Sequence, residues 1–254
     1  MKNNITPIFT SHFSFGKSTL TLEKPEEIVD NKPISIFSIA KKYELKEIFL
    51  IENNFSGFIE AYKTAKDNDV LLRFGLKIVV CSSIENKSEE SFRTESKVII
   101  WMNNSEAYKD LIKIYSNAST DGFYYIPRID WKTLNSMWSK NLSLSIPCYS
   151  SFLHKNLLEY GECVPDFTKV KPNIFFSQMG LPFDDMIYES HKNYSKNNNL
   201  ELNECHPVYF YSDKQKDSYL VYKAIHNRSN LSMPGLSHFS STGFNWESYL
   251  QKIN

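Results

Sequence analysis

Strand-length apolar bursts alternate with helix-period stretches along most of this chain, and that rhythm constrains the fold more than any other feature. "KEIFLIE" (residues 46–52), "LLRFGLKIVVCS" (71–82) and "KVIIWMN" (97–103) are short, apolar and rich in β-branched residues, as strands are. Around them, "ISIFSIAKKYE" (34–44) lines up Ile36, Ile39, Ala40 and Tyr43 on one helical face, and "GFIEAYKTAKDND" (57–69) does the same with Phe58, Ala61, Tyr62 and Ala65. "SEAYKDLIKIYSNAS" (105–119) reads as a third helix with Ser105 as its N-cap. Helices between successive strands return the chain to the same edge, so the pattern predicts βαβ units and a mostly parallel sheet or barrel.

The same rhythm continues to the C-terminal third. "IFTSHFSF" (8–15) reads as a short strand entering a loop; "LSLSIPC" (142–148), "NIFFSQM" (173–179) and "HPVYFY" (206–211) read as strands, with helices around 184–196 and 213–226. "IENKSEESFRTES" (84–96) is polar and charged, and is expected to be an exposed insertion loop. No low-complexity linker or internal repeat divides the chain, so residues 1–254 are expected to form one domain, with 227–254 as a C-terminal extension packed against it.

Composition removes several functions. Lys+Arg and Asp+Glu are equal at 29 each, so no net field gathers nucleic acid, and strong binding to it would need a local patch. With 8 glycines and neither GxGxxG nor GxxxxGK[ST], a nucleotide-binding loop is not expected. No segment reaches the length of apolar sequence needed to cross a membrane, and "MKNNITPIFTSHFSF" lacks the basic-then-apolar order of a signal peptide; a cytoplasmic protein is expected. Cys81, Cys148, Cys163 and Cys205 form no CxxC and are expected to be reduced and mostly buried.

Against this background "DGFYYIPRID" (121–130) is unusual, packing aromatics, a proline and an arginine between two acids. The order of the elements together with "GFYYIPRID" resembles the PHP (polymerase and histidinol phosphatase) domain of the bacterial DNA polymerase III alpha subunit family. "FSIAKKYELKEIFLIENNFSGFIEAYKTAKDNDV" is similar to the family's elements around its TDHG motif, and "VIIWMNNSEAYKDLIKIYSNASTDGFYYIPRID" to the strand, helix and aromatic loop that follow. The resemblance implies an α/β fold, a distorted (β/α)7-type barrel with helices outside. With 254 residues there is no room for polymerase palm and fingers, so no polymerase activity is expected.

Active PHP domains hold two or three divalent ions on imidazoles and carboxylates, which activate water against a phosphoester. On this resemblance the opening HxH falls on Ile8 and Thr10, the Asp-His pair of TDHG on Glu52 and Asn53, the acid of GxE on Lys77, the next histidine on Lys97, a common cysteine on Cys148, and the terminal DxH on Pro207 and Tyr209. Protonated lysines have no lone pair to give and repel a divalent ion. No metal is therefore expected; were the domain active, the cofactor would be zinc, manganese or iron, on a rearranged set of His12, Glu52, Cys148 and His206. His12 lies two residues from the motif and would keep strand parity, whereas His206 is one residue out of register and reads as structural or surface-exposed. His154, His191, His226 and His238 read as solvent-facing or hydrogen-bonded.

Three functions follow. The leading one is a degenerate PHP-like module acting through protein contacts, with polymerase III subunits or the proofreading exonuclease as the partners that the resemblance implies. The second is a divergent metal-dependent phosphoesterase or 3′–5′ exonuclease. The third is a phosphate- or nucleic-acid-binding module using Lys77, Lys97, Arg73 and Arg128. Within 121–130, Tyr124, Tyr125 and Arg128 are candidates for a pocket mouth; the structural alternative has Tyr and Phe filling a gap, Pro127 stiffening the turn and Arg128 pairing with Asp121 or Asp130.

Overall fold

A computed structural model describes residues 5–29, 32–229 and 243–254. They fall into two compact units, one drawn from 1–74, 177–182 and 204–254, the other from 75–176 and 183–203.

In the first unit, β1 (Thr6–Phe9) is the central strand, parallel to β2 (Glu47–Glu52) on one side and to β8 (Leu202–Val208, from Glu204 onward) on the other. Helix α1 (Ile36–Lys42) starts where Ser35 accepts the Phe37 N–H on its hydroxyl, and it buries Ile36, Phe37, Ile39 and Ala40. Helix α2 (Phe58–Asp67) buries Phe58, Ala61 and Ala65, as its spacing predicts. Helices α7 (Lys216–Asn227) and α8 (Trp246–Ile253) complete the unit. The described part of the C-terminal extension packs here: the Trp246 ring lies 5.5 Å from Phe9 and 5.2 Å from Tyr43.

In the second unit β3 (Leu71–Cys81, from Gly75 onward) lies between β4 (Ser96–Met102) and β5 (Arg128–Asp130), and β6 (Leu142–Ile146) joins β4 to β7 (Asn173–Phe176). Helices α3 (Ala107–Ser119), α4 (Trp131–Met137), α5 (Phe152–Leu158) and α6 (Asp184–Asn198) belong to this unit. Leu76, Ile78 and Val80 of β3, with Val98 and Ile100 of β4, form its buried sheet face, against which α3 supplies Leu111 and Ile114.

Most of these strand pairs are parallel, as expected, the exception being β4, which runs antiparallel to both β3 and β6. The 82–95 connection carries only a 3-10 helix, Glu89–Thr94, and without a crossover α-helix the chain returns beside β3 in the opposite direction. Three other expectations need correction. The 84–96 segment is exposed over 85–90, but Ser91, Glu95 and Ser96 are buried. Ser105 does not cap α3; Asn104 Oδ1 accepts the Ala107 N–H at 3.0 Å. The last strand is Leu202–Val208, several residues before the expected 206–211.

Candidate functional site

The β3–β4 ladder decides what two of the predicted site residues have in common. Lys77 faces Ile99 and Val79 faces Lys97, so both lysines stand on the same side of the hairpin as diagonal neighbours. That ladder geometry sets their Cα atoms about 7–8 Å apart. Ile99 pairs with Ser145 and Ser145 with Asn173, which carries the same face across β6 to β7. Trp101 donates its indole N–H to Ser145 Oγ at 2.7 Å, and Ser145 in turn donates to Asn173 Oδ1. Gly75 makes room for this arrangement, since a Cβ there would sit 2.8 Å from the Trp101 ring and 2.9 Å from Ile99. The sequence reading missed Trp101, Ser145 and Asn173, although the alternation in "LSLSI" already put Ser143 and Ser145 on one face.

In the first unit Ile8 is buried on β1 between Phe49 and Pro207. Thr10 is buried just past the strand end, its N–H 3.4 Å from the Val208 carbonyl. Glu52 is fully buried: Oε1 accepts the Ser11 N–H at 2.8 Å and Oε2 the Ser14 hydroxyl. Burial raises its pKa above the usual carboxylate range, and the Ser11 and Ser14 hydrogen bonds oppose that rise. Asn53 is exposed, and its backbone N–H donates to Ser14 Oγ at 2.9 Å. Tyr209 is half-buried beside Phe244, with ring centroids 5.2 Å apart.

Strand parity does not extend to His12, the alternative ligand, because β1 ends at Phe9 and the chain turns. The His12 N–H donates to the Leu20 carbonyl at 2.8 Å, and Nδ1 lies 3.3 Å from the same oxygen. His206 is fully buried with Nε2 3.2 Å from the Asn245 carbonyl; burial, then the charge of Lys252, brings its pKa down to about 4. His191 is buried, with Nδ1 2.8 Å from the Ile187 carbonyl, His154 Nδ1 is 3.4 Å from Glu159, and His226 is exposed. His238 lies outside the described residues. Cys148 is buried, as are Cys81, Cys163 and Cys205, and none of the four forms a disulfide. Among the described residues, no three His, Cys, Asp or Glu side chains gather into a group that would hold a metal ion.

Arg128 is not at a pocket mouth. It is fully buried and pairs with neither Asp121 nor Asp130 but with Glu95, Nη1 to Oε1 at 3.0 Å. Nη1 also donates to Ser91 Oγ at 3.0 Å, Nη2 to the Asn86 carbonyl at 2.7 Å and the Ile84 carbonyl at 3.4 Å, and Nε to the Gly122 carbonyl at 3.1 Å. Every N–H of the guanidinium thus has an acceptor, so none is left to bind a phosphate. Tyr124 lies over the guanidinium, 4.9 Å from ring centroid to Cζ, and stacks on Phe92 at 5.6 Å. The two acids have other roles: Asp130 caps α4 through the Thr133 N–H at 2.7 Å, and Asp121 accepts from Asn117 at 2.9 Å. Tyr125 sits in the left-handed region at φ 60° and is largely exposed. Arg73 is committed to Glu47 at 2.5 Å.

An αβ scaffold with this order of elements, and with an arginine-bearing aromatic loop feeding its fifth strand, matches the PHP domain over residues 30–204. The chain belongs to the PHP domain family, and its α/β fold is the class that the resemblance implied. Its relatives include proteins named DNA polymerase III subunit alpha. The one from Chlamydia trachomatis is 33% identical over 126 residues, covering 48% of this chain and 10% of the relative. The one from Borreliella burgdorferi is 27% identical over 187 residues, covering 68% of this chain and 16% of the relative, and the one from Helicobacter pylori is 25% identical over 118 residues, covering 46% of this chain and 10% of the relative. The chain therefore spans only a small fraction of the length of these relatives. Among the described residues no helix is long and apolar enough to cross a membrane.

Proposed function

We propose that this chain is a catalytically degenerate PHP domain that serves DNA replication or repair as a structural or protein-interaction module. The observation that carries the reading is the pairing of β3 with β4, which sets Lys77 and Lys97 side by side on one face. On the family resemblance these are the positions of a metal-binding acid and a metal-binding histidine. Two ammonium groups on one face add positive charge where an active site needs lone pairs, and their field opposes a divalent cation. Glu52 supports the same reading, since its carboxylate oxygens are taken up by Ser11 and Ser14.

Its partners, on this reading, are DNA polymerase III subunits, in keeping with relatives named DNA polymerase III subunit alpha, or the proofreading exonuclease that the family resemblance implies. The test is elemental analysis of the purified, untagged chain after incubation with zinc, manganese and iron and removal of excess metal. Substoichiometric metal together with co-purification of polymerase or exonuclease subunits is the expected result. Near-stoichiometric metal, with chelator-sensitive hydrolysis of a phosphoester, would overturn it in favour of a divergent phosphoesterase.

A further inference from the structure

The loop after β1 and helix α7, both in the first unit, together build a surface that the reading above does not use. Residues 14–17 lay Phe15 against α7, its ring 5.2 Å from Tyr222 and 5.2 Å from His226, both edge-on, yet Phe15 remains 54% exposed. Gly16 lets the loop approach this closely: at φ +74° it lies so near the helix that a Cβ would meet His226 Cγ at 2.2 Å. The Tyr222 hydroxyl donates to the His12 carbonyl at 3.2 Å and fixes the ring that supports Phe15.

Lys17 follows Gly16, and Lys223 lies one turn before His226 on α7, at i, i+3. The two ammonium groups are close enough for the charge of Lys17 to add to burial in holding Lys223 below its usual pKa. The loop 10–19 contains no Asp or Glu of its own; the Glu52 carboxylate that bonds Ser11 and Ser14 is fully buried beneath it, and the acid of α7, Asp217, lies six residues before Lys223. An exposed aromatic ring beside two mutually repelling cations is what a base and its phosphates complement: the ring offers a stacking face, and an anion relieves the repulsion.

We propose that Phe15, Lys17 and Lys223 form a platform for single-stranded nucleic acid, with a base stacked on Phe15 and the adjoining phosphates held by the two lysines. The chain's zero net charge does not oppose this, because the field that matters is local. A rigid, half-exposed phenyl ring selects no particular base, so the platform is sequence-tolerant.

The test is fluorescence anisotropy of a labelled oligothymidylate about 12 nucleotides long, titrated with the purified chain at low salt. Binding is expected to weaken with salt at a log–log slope of about −1.4, the value for two phosphate contacts on a single strand. Phe15→Ala should weaken it about tenfold, as loss of one stacked base does. Lys17→Glu/Lys223→Glu should abolish it, while the same net change at Lys169→Glu/Lys171→Glu leaves it intact; circular dichroism checks that each variant folds. Failure of the unaltered chain to bind, equal loss in the Lys169/Lys171 control, or indifference to Phe15→Ala would each overturn the proposal. Binding of polyglutamate as tight as that of the oligonucleotide would also overturn it and assign the patch to an acidic protein segment. None of these outcomes depends on the metal content or partners of the domain.

Discussion

Arg128→Ala removes one side chain and leaves five acceptors behind. Glu95, almost fully buried, loses the cation that lies 3.0 Å from it, and Ser91 Oγ and the carbonyls of Gly122, Ile84 and Asn86 lose their donors. Breaking a buried ion pair on one side costs about 3–5 kcal/mol because the remaining charge stays desolvated. Ile84 and Asn86 lie near the surface, where water replaces the lost bonds, so most of the cost belongs to Glu95 and the interior. For a chain of this size a loss in that range lowers Tm on the order of 10 °C. Urea unfolding followed by circular dichroism measures the change, and limited trypsin digestion localises it: Lys87 and Arg93, both exposed in the tethered segment, should be cut faster. Arg128→Met/Glu95→Leu should recover part of the loss, because the unpaired charge goes too. An Arg128→Ala protein within about 1 kcal/mol of the original, or with unchanged cleavage at Lys87 and Arg93, would refute the view that this arginine clamps the 84–95 segment.

Two further perturbations test the folded core. His206 is held neutral in the interior with its pKa depressed to about 4, so between that pH and its ordinary value of 6.5 the unfolded chain binds the extra proton; stability should fall as pH is lowered through this window, and His206→Gln should flatten that part of the urea-midpoint profile. Gly122→Ala would set a Cβ 1.8 Å from the Arg128 carbonyl oxygen, a backbone clash that no rotamer relieves, so the variant should be insoluble or lose several kcal/mol, on the order of 3 or more, in thermal melts.

The distinction between local and non-local information explains which features were legible. The helical faces of 34–44 and 57–69 and the strands at 46–52 and 97–103 were readable because side-chain periodicity is a property of a few consecutive residues. The identities of Lys77 and Lys97 were readable, but their adjacency was not, since it depends on an antiparallel register between β3 and β4. The parity argument for His12 failed because a strand's face persists only as long as the strand, and β1 stops at Phe9. Arg128 shows the limit most clearly. Its neighbours in sequence include two acids, either of which would serve as a partner on local grounds, but Asp130 is drawn to the start of α4 and Asp121 to Asn117.

By itself, then, the sequence determined an α/β chain of the PHP kind and its apolar faces, carried by residue identity and short-range spacing. The tertiary structure alone decided that β4 runs against its neighbours, that Glu95 rather than a nearby aspartate neutralises Arg128, and that Phe15 stands exposed against Tyr222 and His226 of α7. Each of these depends on segments far apart in the chain meeting once the core has closed. A buried charge takes whichever partner the packed interior brings within reach, and distance along the chain says little about which one that is.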